Sequence, residues 1–498
     1  MIELTPAEIA TACGARLVAG DADARAGDRP RRAVVDSREV EPGDLFFGLP
    51  GERADGGQFA SAALEAGAWG AVVGEAHAQR LASATRRVLV ASDPLTALHG
   101  LAGRWLAALR KSGCRVVGIT GSTGKTSTKD ILASMLEPVA RTHSNRENWN
   151  TEIGLPLTVL EADEGVELMV LEMAMRGMGQ IRELARIARP EVGLITNVGP
   201  VHLELVGTVE RVAEAKAELI AELAGGATCV VPAAEEALRP HLRTDVRTVT
   251  FAQWLGTDAG GDPLSRAAAV ADAAADVRVL SVTPSTSGLR AAVVAGAERE
   301  TFEFGFTQAH NVTNALAAIG AAHALGFPLG RLVEGAARAR LSSLRGEELE
   351  LPGGILIIND CYNANPVSMR AALDHLAQVA ARRGSARAIA VLGEMRELGP
   401  DAEHYHEEVG RQAAGTASLV VAVGDHGAAY LRGYGNAGEA VLAAGADDAA
   451  DLLRDVVREG DVVLVKGSRA VGLERVAEAL TAGSGTPWTG SSKPSTSG

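Results

Sequence analysis

The sequence predicts an α/β protein of three domains: a small N-terminal α/β domain, a central doubly wound domain of the P-loop type and a C-terminal Rossmann-like α/β domain. Three observations carry this. The chain has 498 residues, which at roughly 150 residues per domain is too long for one compact core. Short β-rich runs alternate with helical segments through most of its length, the order of a parallel sheet covered by helices. The composition shifts near residue 342, where a second such series begins.

The first domain is expected over residues 1–95, where the apolar runs 44–49 and 69–73 sit between turn-rich segments. The central domain is expected over 96–341. It opens with a helix from Thr96 to Leu109, whose apolar residues recur at helical spacing. A β run, Arg115 to Thr120, then leads into a glycine-rich stretch and a helix beginning near Lys125. Strands follow at about 167–172, 192–197 and 228–231, interleaved with helices at about 179–188 and 209–224. Residues 276–306 alternate short strands with Gly, Ser and Pro turns, which predicts an antiparallel appendix before an Ala-rich helix starting near Asn311. The third domain, 342–482, repeats the alternation with strands at about 355–359, 388–392, 419–423 and 461–465. Residues 483–498 lack hydrophobic periodicity and read as a flexible tail.

With 62 acidic against 48 basic residues, the net charge of −14 disfavours nonspecific attraction to nucleic acid or to an anionic membrane. No apolar stretch approaches the roughly 20 residues of a membrane-spanning helix. The four cysteines are scattered with no paired spacing, which fits a reducing cytoplasm. Only six of the basic residues are lysines, at 111, 125, 129, 216, 466 and 493. Each invites the question of why a compact amine stands there instead of a guanidinium.

Gly121-Ser122-Thr123-Gly124-Lys125-Thr126-Ser127 puts glycines, a lysine and hydroxyls at a strand-to-helix turn. There, backbone N–H groups and the helix dipole cradle phosphate, the lysine neutralises it and the Thr126 hydroxyl suits Mg²⁺. The spacing is a variant of the usual phosphate loop, because Ile119 stands where the first glycine belongs. Lys216 shares one helix face with Val212, Leu219, Ile220 and Leu223, so its amine points to the buried side. It must find an acidic partner, snorkel to solvent or change its chemistry. Glu172 and the segment Thr196 to His202 end predicted strands, where ligands and metals collect in such sheets. His310 and Asn311 open the Ala-rich helix, as a cap or as an amide reading an adenine edge. Asp360, Asn363 and Asn365 follow one strand of the last domain and Lys466 ends another. A turn and a solvated loop are the plain readings of those two segments.

Several stretches occur in one order: Asp36 to Phe47 (DSREVEPGDLFF), the loop above, Asn148 to Pro156 (NWNTEIGLP), Thr196 to His202 with Lys216, His310-Asn311, Asn359 to Pro366, and Val391 to Gly399 (VLGEMRELG). Together they resemble the Mur ligase family over residues 1 to about 480. The resemblance implies that the first domain binds a UDP-muramoyl peptide, the second ATP, and that the third closes over both. It implies that Gly121 to Ser127 hold the triphosphate, with Lys125, Lys216 and His202 catalytic. Thr126, Glu172, His202 and Lys216, the last as a carbamate, would serve two Mg²⁺ ions. Asn311, Arg345 and Asp360 match nucleotide contacts, Ser37 and Arg38 the uridine segment, and Asn150, Asn363, Asn365 and Lys466 substrate segments.

The implied reaction is activation of a peptide carboxylate as an acyl phosphate, followed by amide formation. The Asp-Asn-Pro-Arg signature of ligases that add diaminopimelate is absent, which favours a UDP-N-acetylmuramoyl-tripeptide and D-alanyl-D-alanine as substrates. Addition of a single amino acid to a shorter muramoyl peptide and folylpolyglutamate synthesis are the alternatives within the superfamily. A nucleotide-regulated binding protein that has lost catalysis is the alternative outside it. Ala174, Gln180, Thr151 and Cys361 depart from the usual residues at their positions. The protein is expected to be a cytoplasmic monomer.

Overall fold

A computed structural model describes residues 4–20, 29–146, 148–253, 273–384 and 386–483. The chain forms three sheets in sequence order. The first has five strands in the spatial order Arg16–Ala19, Arg87–Ala91, Gly70–Gly74, Leu45–Phe47 and Ala33–Val34, parallel except for the first. The helix Pro94–Lys111 follows, two residues ahead of its expected start, because Asp93 caps the backbone N–H groups of Leu95 and Thr96 and Pro94 occupies the first turn. Its buried face, including Leu98, Leu101 and Trp105, joins Phe47 and Leu89 of the first sheet to Leu155 and Leu184 of the next unit in one core.

The second sheet has nine strands, ordered Glu298–Phe304, Gly288–Ala295, Val277–Ser285, Arg247–Phe251, Thr228–Pro232, Val192–Ile195, Arg115–Thr120, Leu168–Glu172 and Thr142–Ser144. From Thr142–Ser144 to Arg247–Phe251 all neighbours are parallel. The four inner strands Leu168–Glu172, Arg115–Thr120, Val192–Ile195 and Thr228–Pro232 are largely apolar and buried almost throughout, as strands covered on both faces require. The antiparallel stretch expected at 276–306 is present, but it is not a separate appendix. Val277 pairs in parallel with Phe251, so the three strands extend the same sheet. Strands Thr142–Ser144 and Arg247–Phe251 were not anticipated, since the first has three residues and no apolar run. The chain places Thr142–Ser144 and Leu168–Glu172 on one side of Arg115–Thr120 and then crosses to Val192–Ile195 on the other, which makes the carboxyl end of Arg115–Thr120 a topological switch point, the usual place for a ligand crevice.

The third sheet runs Glu347–Leu351, Ile355–Asn359, Val462–Lys466, Ala388–Gly393, Leu419–Val423 and Glu439–Ala443. Only its first pair is antiparallel. The two edge strands escaped the sequence reading because both are largely polar or exposed. Helix Glu474–Gly483 ends the described chain, and the tail expected from residue 483 otherwise lies outside the described residues.

Candidate active site

Three neighbouring strands of the central sheet end in Thr120, Glu172 and Ile195, and the chemistry collects above them. Gly121 leaves the first strand at φ 150°, and a Cβ there would collide with Thr196 Oγ1. Gly124 caps the helix Lys125–Leu136 in the left-handed conformation at φ 76°, where a Cβ would strike the Asn314 amide. Both positions therefore require glycine. The loop is pinned from the next strand end. Thr123 N–H donates to Asn197 Oδ1 at 2.9 Å, and Asn197 Nδ2 donates to Thr123 Oγ1 at 2.6 Å. Gly199 N–H donates to Ser122 Oγ at 2.9 Å. The segment Thr196 to His202 thus acts first as a buckle that shapes the phosphate loop, a role its sequence did not announce.

Lys125 Nζ donates to the Gly121 carbonyl at 2.8 Å, so the amine lies over the loop. Burial lowers its pKa, the Glu172 carboxylate works against that, and the Arg345 charge lowers it further. Thr126 Oγ1 donates to Glu172 Oε2 at 2.8 Å and accepts from Arg345 Nη2 at 2.9 Å. Asn150 Nδ2 donates to Glu172 Oε1 at 2.8 Å, and Asn145 Oδ1 accepts the Glu172 backbone N–H at 2.6 Å. Glu172, 2% exposed, is therefore held from both sides. A hydroxyl beside a carboxylate at a phosphate loop is a hard-oxygen donor set. Among the described residues no three His, Cys, Asp or Glu side chains form a metal cage. Such a sparse set fits Mg²⁺, which takes one or two protein ligands and completes its shell with phosphate and water.

Lys216 is 1% exposed, so the snorkelling reading fails. No acidic side chain pairs with it among the described residues, and burial, with the Lys125 charge, drives its pKa well down. A buried amine without an acidic partner is electrostatically unfavourable. His202, at φ 55°, pairs through Nδ1 with Glu397 of the third domain. Burial lowers its pKa, Glu397 opposes the shift, and the charges of Lys125 and Lys216 add to it. The turn carrying Glu397 also touches the central domain through its backbone, with Glu204 N–H donating to the Glu397 carbonyl.

On the other flank, Asn311 Oδ1 accepts from Asn314 Nδ2 at 2.7 Å, and Asn314 abuts Gly124. Asn314 was not singled out from sequence, although it lies three residues after Asn311 on the same helix face. Arg345 crosses from the third domain, its guanidinium 4.0 Å over the Tyr362 ring and its Nε buried without a partner. Lys466, 2% exposed, donates to Asp360 Oδ2 at 2.7 Å and to the Asn363 carbonyl at 3.0 Å. Asn365 caps the helix Pro366–Arg382 through Ser368, and Asn363 Oδ1 accepts from Ala364 N–H. Ser37 and Arg38 occupy a short turn after the strand Ala33–Val34, where Arg38 pairs with Asp36. The structure thus joins Thr126, Glu172, Asn150 and Arg345 by direct hydrogen bonds and brings Lys125 into their field through charge. It sets Lys216 and His202 beside them electrostatically. Among the described residues, Ser37 and Arg38 share no hydrogen bond or ion pair with this cluster.

Family models match three stretches: "Mur ligase family, catalytic domain" over residues 33–105, "Mur ligase middle domain" over 119–322 and "Mur ligase, glutamate ligase domain" over 344–469. The chain is 36% identical over 524 aligned residues to the UDP-N-acetylmuramoyl-tripeptide–D-alanyl-D-alanine ligase of Mycobacterium bovis, covering 97% of this chain and 98% of that protein. It is 34% identical to the ligase of the same name from Bacillus subtilis, over 90% and 92% of the two chains. Crystal structure I of MurF from Acinetobacter baumannii superposes with a TM-score of 0.80 at 26% identity over 96% of this chain and 98% of that one. The Thermotoga maritima MurF ligase in complex with ADP gives 0.76 at 29% identity, over 92% and 98%. Sequence likeness over nearly the whole length, on the same three-sheet architecture, leads to one conclusion: the chain belongs to the Mur ligase family.

Proposed function

We propose that this protein is an ATP-dependent ligase that joins D-alanyl-D-alanine to a UDP-N-acetylmuramoyl-tripeptide in the cytoplasm, completing a peptidoglycan precursor. The observation that carries the reading is the junction at Thr126, where the phosphate loop, the Glu172 carboxylate and Arg345 of the third domain meet within 2.9 Å. It places cations from two domains around one anion cradle. Relatives over the full length are named for this same reaction.

In this reading, residues 1–95 bind the UDP-muramoyl substrate with Ser37 and Arg38, 96–341 bind ATP, and 342–482 bring Arg345, Asp360 and Lys466. The tripeptide carboxylate attacks the γ-phosphate, the bond to ADP breaks, and an acyl phosphate forms. The dipeptide amine then attacks the acyl carbon, phosphate leaves and the nitrogen gives up a proton. Two anions must meet in the first step, so positioning and charge neutralisation carry the catalysis. Mg²⁺, when bound, would screen the phosphates and stabilise charge developing on the transferred group. Thr126 and Glu172 suit one ion. His202, and Lys216 once carbamylated, suit a second. Carbamylation would turn a buried unpaired cation into an anion, which removes the electrostatic conflict at Lys216.

The test is direct. Purified protein with ATP, Mg²⁺, UDP-N-acetylmuramoyl-tripeptide and D-alanyl-D-alanine should release phosphate in step with a pentapeptide product. Absence of turnover across a Mg²⁺ series would sink the proposal, and faster turnover with a single amino acid acceptor would shift it to another ligase of the superfamily.

A further inference from the structure

At the opposite end of the central sheet, around the amino ends of strands Arg115–Thr120, Val192–Ile195, Thr228–Pro232 and Arg247–Phe251, lies a cavity of about 890 Å³. It falls within the range of small-molecule sites, about 300–1,000 Å³. Five arginines line it, Arg110, Arg115, Arg186, Arg189 and Arg247, against two carboxylates, Glu191 and Glu222. Both carboxylates are engaged: Arg115 Nε holds Glu191 at 2.8 Å and Arg186 Nη2 holds Glu222 at 3.1 Å. Three guanidinium groups are left without a carboxylate among the described residues.

Each of the three is placed by backbone geometry. Arg110 reaches from the end of its helix to the Arg189 carbonyl, and its Nε is buried with no partner. Arg189 sits in the left-handed conformation at φ 43°, a strained state for a residue with a Cβ. Arg247 begins its strand with its guanidinium exposed and unpaired among the described residues. Guanidinium groups that line one cavity repel one another unless an anion sits between them. A local excess of three positive charges is conspicuous in a chain of net charge −14.

We propose that this cavity is a second anion site, one that takes a small multivalent phosphate such as pyrophosphate. Guanidinium forks match phosphate oxygens bidentately, which favours phosphate over a singly charged anion. The site is distinct from the phosphate loop. Arg115 and Gly121 stand six positions apart along the strand, roughly 20 Å at the usual rise per residue. The same strand runs from one site to the other, so occupancy at Arg115 bears on the element that carries the loop.

The test uses the full chain carrying Lys125→Ala, so that the phosphate loop is weakened, titrated calorimetrically with pyrophosphate without Mg²⁺. One equivalent should bind, more weakly at high salt. Arg247→Gln and Arg189→Gly, made separately on that background, should each weaken binding by about tenfold. The glycine removes the charge while relaxing the left-handed backbone, so it keeps the test sound if the other variant folds poorly. Arg247→Gln alone should turn over substrates at the wild-type rate. No binding, an affinity in both variants unchanged from that of the Lys125→Ala parent, or citrate binding as tightly as pyrophosphate would overturn the assignment.

Discussion

Lys216 shows how far one residue's chemistry can be read. Its spacing on an apolar helix face announced a buried amine, and the structure leaves it 1% exposed beside Lys125 with no carboxylate partner among the described residues. An ionised or forcibly neutral amine there costs stability, whereas an apolar isostere does not. Lys216→Met in carbonate-free buffer should therefore raise stability by about 1–3 kcal/mol in urea unfolding, while lowering turnover by about a hundredfold or more. Lys216→Ala should be partly rescued by short carboxylic acids if an anion is what the site needs. His406 makes a different statement. Its Nε2 accepts from the Met395 backbone N–H at 3.0 Å and its Nδ1 faces the Ala402 carbonyl, an arrangement that only the neutral ring satisfies. Burial holds its pKa at about 4 against an ordinary 6.5. A depressed histidine pKa means that the unfolded chain binds the extra proton first, so stability falls as pH drops through 6.5 and levels off only near 4. Between pH 7 and pH 5 this group should take away about 2 kcal/mol, and His406→Gln should flatten that part of the pH profile. His310, also held at about 4 by burial, contributes with the same sign.

At the scale of elements, the strand, glycine loop and helix over 115–136 were legible because each residue type there has one mechanical use. Glycine supplies the positive φ, the lysine the charge and the apolar run the strand. What the sequence could not show is that Asn197 and Thr196, more than 70 residues away, fix the loop's shape. Gly124→Ala should weaken nucleotide binding at least tenfold in a fluorescence titration, because the new methyl meets Asn314 and the φ of 76° is unfavourable. Asn197→Ala should do the same with little change in the loop's own composition, since two of the loop's hydrogen bonds end on that amide. The edge strands Glu347–Leu351 and Glu439–Ala443 were missed for the converse reason. The first is rich in glutamate and the second largely exposed, and pairing with a neighbour already in place defines them.

For the molecule as a whole, the site exists only where domains meet. His202 pairs with Glu397, and Arg345 bonds Thr126, across more than 190 residues of sequence in each case. Glu397→Ala should loosen the third domain against the second, seen as a larger radius of gyration in solution scattering and a raised KM for ATP, while leaving each sheet folded. Arg345→Lys, which keeps the charge but not the fork, should restore little of that contact. By itself the sequence determined the alternation of strands and helices, the phosphate loop, the family resemblance and the apolar helix face that carries Lys216. All of these rest on local spacing and on the solvation of single residue types, which a chain carries with it. Only the tertiary structure decided that residues 277–304 extend the central sheet, that Asn365 serves as a helix cap and that Asn314 backs Gly124. It alone brought Glu397 to His202 and gathered, at the amino end of the sheet, three arginines without a carboxylate partner among the described residues. These depend on which distant groups share space, a consequence of strand order and domain packing that no local pattern encodes.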